Sequence, residues 1–307
     1  MIIGILIALL IAAALFVLHY GYKLAFFYQD PKEGPYAYGQ DDQILKCKPV
    51  LDQAIDGFQD VPYETVSITS HDGLVLKAQY YHVADGAPLE IQCHGYKGNN
   101  IRDFSGNWKI AKEDGRNVLL IHQRSHGESQ GNTITFGILE RQDVLGWIRW
   151  ANQRFGEVPI VLSGVSMGAA TVLMVAGMEL PSNVKGVIAD CPYDAPSNII
   201  KKVLGQDMGM NVKLVYPLIR FGGMLYGKFN LDADSPVAAV QRAKIPVLLI
   251  HGDDDRFVPW DMSRNIHAAA PEKVEFHTVP GAGHALNYVT DPDTYTALVR
   301  SFLEKVL

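Results

Sequence analysis

The sequence predicts an α/β fold: a mostly parallel sheet flanked by helices on both faces, with a helical cap insertion and an N-terminal transmembrane helix. Three observations predict it. From about residue 63, short apolar runs alternate with stretches of helical spacing, as strands joined by crossover helices do. One long stretch, 193–234, breaks that alternation and is rich in large apolar side chains. And the run Ile2 to Leu18 carries no charge at all.

The apolar run comes first. Taken on to Tyr22 it reaches about 20 residues, enough for a helix to cross a bilayer core of about 30 Å. Tyr20, Tyr22, Lys23, Phe26, Phe27 and Tyr28 follow it, as aromatics and lysine do at a membrane interface. A cleaved signal peptide needs a basic start and a small-x-small cleavage site. Met-Ile-Ile-Gly and His19-Tyr20-Gly21-Tyr22 supply neither. Residues 1–28 are therefore expected to be an uncleaved, single-pass membrane anchor. Lys23 and Lys32 follow the span and no Lys or Arg precedes it, so the positive-inside rule leans towards a cytoplasmic body.

Residues 29–62 are expected to form a juxtamembrane connector, broken by Pro31, Gly34, Pro35 and Gly39, with a short helix over 44–58. Residues 63–307 form the main domain. Two strands, 64–69 and 74–81, joined at His71-Asp72-Gly73, make an antiparallel edge. Further strands are expected at 89–93, 117–121, 159–162, 184–189, 246–250 and 274–279. Helices are expected at 102–113, 139–155, 167–180, 260–270 and 292–306. The stretch 193–234 is too long for a structureless loop and reads as an inserted cap.

Composition sets limits. A chain of 307 residues, 48% hydrophobic, buries a full core without staples. The net charge of -6 and the lack of a basic run exclude nucleic acid as a partner, which needs clustered Lys and Arg. Cys47, Cys93 and Cys191 are odd in number and widely spaced. They give neither a disulfide framework nor a zinc-ligand spacing. No metal or cofactor is expected.

The chemistry centres on Gly164-Val165-Ser166-Met167-Gly168, between an expected strand and an expected helix. In that context G-x-S-x-G is a tight turn that exposes the serine hydroxyl at the strand end. The helix also aims its positive dipole end at the site. A serine hydroxyl needs a base. His284, in the glycine-rich loop Gly281-Ala282-Gly283-His284, is the expected base. His277 lies inside a strand and His267 on a helix face, where other roles are expected. A carboxylate should orient the imidazole. Asp253, Asp254 and Asp255 compete for that task, and Asp255 is preferred because Arg256-Phe257-Val258-Pro259 and a helix follow it. Asp190 is a remoter candidate. The oxyanion donors are expected to be the backbone N–H groups of Met167 and Tyr96. Tyr96 lies in the loop His94-Gly95-Tyr96-Lys97-Gly98-Asn99, where His94 is expected to shape the loop by hydrogen bonds.

Taken together, these motifs resemble the α/β-hydrolase superfamily over residues 63–307. The stretch Thr133 to Asp143 resembles a bacterial branch of membrane-anchored or secreted hydrolases of unknown substrate. A further motif, His122-Gln-Arg-Ser-His-Gly-Glu-Ser-Gln-Gly131, resembles the family's loop after the fourth strand, with His122 where the common pattern has Asp. The resemblance implies the α/β-hydrolase fold, and hydrolysis of an ester, amide or thioester without metal or organic cofactor. Relatives that cleave epoxides or haloalkanes carry Asp at the nucleophile and dienelactone hydrolases carry Cys, so Ser166 argues against all three.

The expected function is a serine hydrolase that cleaves a carboxylic ester through an acyl-enzyme on Ser166. The apolar cap points to an acyl or aromatic substrate, and the anchor beside it to a lipid-like ester. The same triad also serves serine peptidases and amidases. A rival from another class is a non-catalytic hydrolase-like protein that binds a ligand at the membrane.

Overall fold

The computed structural model describes residues 2–39 and 41–307. Helix α1 (Ile2–Ala25) opens the chain. Its side chains from Ile3 to Val17 are exposed. Its last turns are partly buried, at Gly21 and Tyr22, and Phe26 just beyond them is buried as well. Helix α2 (Asp42–Asp56) follows and buries Leu51 and Ile55 against Leu286 and Val289. The expected connector, 29–62, is thus packed on the main domain over much of its length.

Eight strands form one sheet in the order β1-β2-β4-β3-β5-β6-β7-β8. They are β1 (Glu64–Thr69), β2 (Val75–Tyr81), β3 (Leu89–Cys93), β4 (Asn117–Ile121), β5 (Ile160–Val165), β6 (Val184–Asp190), β7 (Val247–Gly252) and β8 (Val274–Val279). The pairings β1–β2 and β2–β4 are antiparallel, and all the rest are parallel. This is the expected sheet with its antiparallel edge. Strands β3, β4 and β7 are buried throughout, as parallel strands covered on both faces must be. Alternation sorts their side chains between two cores. Leu119 and Ile121 meet Trp147 of α4 (Glu140–Phe155), with Val172 of α5 (Met167–Ala176) in the same core. Val118 and Leu120 instead meet Phe104 and Trp108 of α3 (Asn100–Glu113). α11 (Pro292–Val306) covers β6 and β7 on that second face through Tyr295, Val299 and Phe302.

Several boundaries depart from expectation. Strand β5 starts after Pro159, which has no N–H to give a ladder, and runs on to Val165. Gly164 is therefore strand rather than turn. α5 ends at Ala176, not Leu180, and the chain turns at Gly177. A Cβ on Gly177 would lie 2.8 Å from the Cα of Ala239, in helix α8 (Pro236–Arg242). Strand β7 continues to Gly252, two residues beyond Ile250.

The cap at 193–234 is helical. α6 (Pro196–Lys202) runs into a π-helical turn over Val203–Asp207, and α7 (Val212–Gly222) into another over Gly223–Gly227. α1 crosses α7 at two glycines. A Cβ on Gly222 would lie 2.5 Å from the Leu18 carbonyl oxygen, and one on Gly21 would touch Ile219 at 3.6 Å. At Gly222 only a residue this small lets the two backbones approach so closely, whereas a Cβ on Gly21 would make ordinary contact.

Arg124 pins the loop after β4. Its guanidinium donates to Asp143 of α4 at 2.7 and 2.8 Å and to Asp72 of the β1–β2 turn at 2.9 Å. Arg124 and Asp143 are both buried. Removing one partner strands the other charge in the interior, which costs about 3–5 kcal/mol. Arg124→Met should therefore lower the unfolding free energy of the detergent-solubilised chain by roughly that amount, as read by chemical denaturation. A loss below about 1 kcal/mol would show that the loop does not depend on this pairing.

Candidate active site

Ser166 stands between the end of β5 and the start of α5 with φ 54° and ψ -115°. A positive φ is strained for a residue with a Cβ, and its neighbours enforce it. Gly168 lies so close to the end of β3 that a Cβ there would fall 1.8 Å from the Cys93 carbonyl oxygen. A Cβ on Gly164 would fall 2.4 Å from the Gly168 carbonyl carbon. The Ser166 N–H donates to the Asp190 carbonyl at 2.8 Å, tying the turn to β6.

The hydroxyl donates to His284 Nε2 at 2.9 Å, and His284 Nδ1 donates to Asp255 Oδ2 at 2.6 Å. Ser166, His284 and Asp255 thus form one hydrogen-bonded chain. The three adjacent aspartates part company. Asp253 accepts from the Gly281 N–H at 2.6 Å and steadies the histidine loop. Asp254 is exposed and accepts from Gln43 at 2.8 Å and Arg256 at 3.2 Å. Asp255 alone is buried and turned to the imidazole. Asp190 accepts from Asn287 instead, at 2.6 Å. Of the other histidines, His277 bonds Glu275 and His267 bonds the Val274 carbonyl.

Asp255 has four donors. Besides His284, His251 Nε2 donates to Oδ2 at 3.1 Å, and the N–H groups of Phe257 and Val258 donate to Oδ1 at 2.9 and 2.8 Å. Burial pushes its carboxyl up. The charge of His284 and the bonds from His251 and His284 outweigh that and hold it well below the ordinary carboxylate range. His251 was not singled out as a site residue in the sequence. It is fully buried beneath the carboxylate, and its Nδ1 meets Ser263 Oγ at 2.6 Å. Its position at the end of an apolar strand was the only signal available.

The loop after β3 lies against the serine: a Cβ on Gly95 would touch Ser166 Cβ at 3.4 Å. The Gly95 N–H donates to Asp103 Oδ2 at 3.0 Å and the Lys97 N–H to His126 Nε2 at 3.2 Å. The Tyr96 N–H between them has no partner among the described residues. Met167 opens α5, where the first N–H groups have no intrahelical acceptor. His94 shapes the loop as expected. Its Nδ1 donates to the Gly95 carbonyl at 2.8 Å and its Nε2 accepts from the Gln123 N–H at 3.1 Å. Burial pushes His94 and His126 down from the ordinary imidazole range. Both rings are therefore neutral and can accept a backbone N–H. His122, at the departure from the family pattern, sits under Gly127 and beside Asn100 at 3.2 Å.

Two cavities flank this loop. A polar one of about 280 Å³ lies behind it, between Asp30, Lys97, Arg102 and His126. An apolar one of about 240 Å³ has Ser166 in its wall, with Tyr96, Phe136, Tyr193, Ile200 and Leu204. Cys191, Asp255 and His284 present ligand atoms close enough together for one metal ion. Two of those atoms already serve each other, His284 Nδ1 donating to Asp255 Oδ2.

The depressed Asp255 carboxyl has a consequence for stability. A carboxylate lowered on folding stabilises the fold above its unfolded value of about 3.9. That stabilisation is lost progressively as pH falls from the unfolded value to the lower, folded one. The stability gap between the wild type and Asp255→Asn should therefore stay constant from pH 7 to about pH 4 and shrink below it. A gap that closes near pH 6 would mean that the carboxylate is not held ionised in the folded state.

Comparison with known proteins agrees with this architecture. The family model for the alpha/beta hydrolase fold matches residues 91–211 and 215–291. The uncharacterized protein YqkD of Bacillus subtilis is 26% identical over 254 residues, 82% of each chain. The uncharacterized protein YfhR of Escherichia coli K12 is 26% identical over 232 residues, 72% of this chain and 73% of its own. The Pyrococcus furiosus esterase Pf2001 superposes with a TM-score of 0.67 at 19% identity, covering 91% of this chain and 98% of that one. With most of its sheet and both ends of the Ser166–Asp255–His284 chain inside the matched segments, this protein belongs to the alpha/beta hydrolase fold family.

Proposed function

We propose that this protein is a serine hydrolase that cleaves a carboxylic ester through an acyl-enzyme on Ser166. One observation carries the proposal. The hydrogen-bonded chain from Asp255 through His284 to Ser166 ends at a hydroxyl in the wall of an apolar cavity. His284 Nε2 takes the serine proton as Oγ attacks the ester carbonyl. Asp255 holds the ring with Nδ1–H towards itself and stabilises the imidazolium. The N–H groups of Tyr96 and Met167 bind the oxyanion. The imidazolium then protonates the leaving alcohol. In the second half-reaction His284 deprotonates water, which releases the acid and restores Ser166.

The apolar cavity favours an apolar acyl group. The occurrence of an esterase, Pf2001, among proteins of like fold supports an ester as the bond cleaved. Residues 1–28 serve as a retained anchor in this proposal. A signal peptidase cut after the apolar run would detach buried Tyr22 from its place beside Phe26 and Tyr226. It would also break the bond from the Tyr226 hydroxyl to the Leu15 carbonyl. Lys23 and Lys32 lean the domain 63–307, with its cap at 193–234, towards the cytoplasmic side.

Hydrolysis of p-nitrophenyl esters of graded acyl length tests this reading. Ser166→Ala should lower kcat by roughly 10⁴-fold or more, and Asp255→Asn by about 10⁴-fold, with little change in KM. A fluorophosphonate should label the wild type and not Ser166→Ala. Absence of both ester turnover and labelling would leave a ligand-binding protein of the same fold. Turnover that survives Ser166→Ala would move the nucleophile elsewhere.

A further inference from the structure

We propose that the outer face of the cap lies in the membrane beside α1, and that the cavity at Ser166 takes its acyl substrate directly from the bilayer. The inference rests on the anchored-esterase reading above and extends it to where the substrate comes from.

The first observation is the outward face of α7. Leu214, Leu218, Phe221 and Leu225 are 68%, 37%, 53% and 51% exposed. They recur at i, i+4, i+7 and i+11 through α7 and its π-helical continuation, which places them on one stripe. A helix on a water-facing surface carries its polar residues there. This one turns Ile219 and Gly222 inward and apolar residues outward as well. Met208, Met210 and Met224 extend the exposed patch, at 44%, 36% and 44%. An apolar patch of this kind marks a surface that meets something.

The second observation identifies what it meets. The patch is continuous with α1, because α1 crosses α7 at Gly21 and Gly222. His19 packs edge-on against Tyr226 at 4.9 Å. The cap touches α1 from Leu15, whose carbonyl accepts from the Tyr226 hydroxyl, to Tyr22, while Ile3 to Val17 of the same helix are apolar and exposed. With those side chains in the bilayer core, the cap docked on the last turns of the helix meets the interface, where apolar helix faces sit about 5–10 Å deep. Exposed Lys213 and Lys228 flank the stripe, placed to meet lipid phosphates.

The third observation joins the surface to the chemistry. Leu24 and Ala25, from the end of α1, line the cavity that holds Ser166. Leu24, Met208 and Phe257 line that cavity and are also exposed, at 42%, 44% and 41%. They mark its mouth, and two of the three belong to the anchor and the cap patch. An acyl chain leaving the bilayer there would pass from one apolar surface to another without crossing water. The substrate class that fits is a membrane-resident acyl ester.

The test uses the full chain reconstituted in phosphatidylcholine vesicles. Tryptophan is introduced singly at Leu218, Phe221 and, as a control at the opposite end of the sheet, Leu307. Vesicles containing acyl-chain-brominated phospholipid should quench the added fluorescence of Leu218→Trp and Phe221→Trp, and not that of Leu307→Trp. Absence of quenching at both cap positions overturns the inference, whether water or a second copy of the chain covers the face. In the same vesicles, Leu218→Glu/Phe221→Glu should slow hydrolysis of an embedded long-chain monoacylglycerol at least tenfold. It should leave hydrolysis of soluble p-nitrophenyl acetate within twofold of wild type. Equal rates of the double variant and the wild type on both substrates would also overturn it. Failure of the esterase reading looks different, with neither substrate cleaved and no fluorophosphonate labelling, and the quenching result then decides the membrane contact alone.

Discussion

Everything at the centre of this molecule depends on the close approach of Gly168 to the end of β3. With no side chain in the way, α5 begins against the carbonyl oxygen of Cys93, and the turn before it has no room for an ordinary conformation. Ser166 is driven to φ 54°. That cost, on the order of 1–3 kcal/mol for such a residue, is offset by a helix and two strands that are buried in full. The same contact sets the loop after β3, because His94 and Gly95 follow directly on Cys93. One steric constraint thus fixes both the hydroxyl and the start of the loop that lies against it.

Around that point, charge is arranged by burial and by donors. Asp255 stays ionised inside the protein because four donors converge on it. His94 and His126 stay neutral because burial penalises their charged forms, and each can then accept a backbone N–H. Arg124 stays charged because two carboxylates meet it. Each group has the state that its neighbours require. A proton moved between His284 and Ser166 would meet a site already organised around it.

The N-terminal helix links this centre to the outside of the molecule. Tyr22 from its final turns and Phe26 just after them join a core shared with Ile219, Phe229 and Met167. Met167 is the residue after the serine. A segment expected to be a tether is therefore also a wall of the cavity at Ser166. Helix α1, the helical segment 193–234 and the cavity pack together, so where the helix lies determines where the cavity opens.

Much of this was legible in the sequence, and the rest had a physical reason to be hidden. The period of apolar residues determined the sheet, its antiparallel edge and most element boundaries, because period is a local property of the chain. Ser166, Asp255 and His284 were legible because each closes a strand with a glycine or acidic motif, and parallel strands end on one side. Gly164 misled because a glycine reads as a turn, whereas here it is the strand residue that clears room for Gly168. The pairing of Arg124 with Asp143 and Asp72 was invisible, since those partners meet only across the folded chain, and nothing but the strand end before it hinted that His251 turns its ring under Asp255. The sequence by itself determined the fold class, the order of the motifs and the apolar N-terminal run. Only the tertiary structure decided which of three adjacent aspartates faces the imidazole, and that α1 docks on the cap through Gly21 and Gly222. Both outcomes are distances between residues remote in sequence, and no local pattern of side chains encodes them.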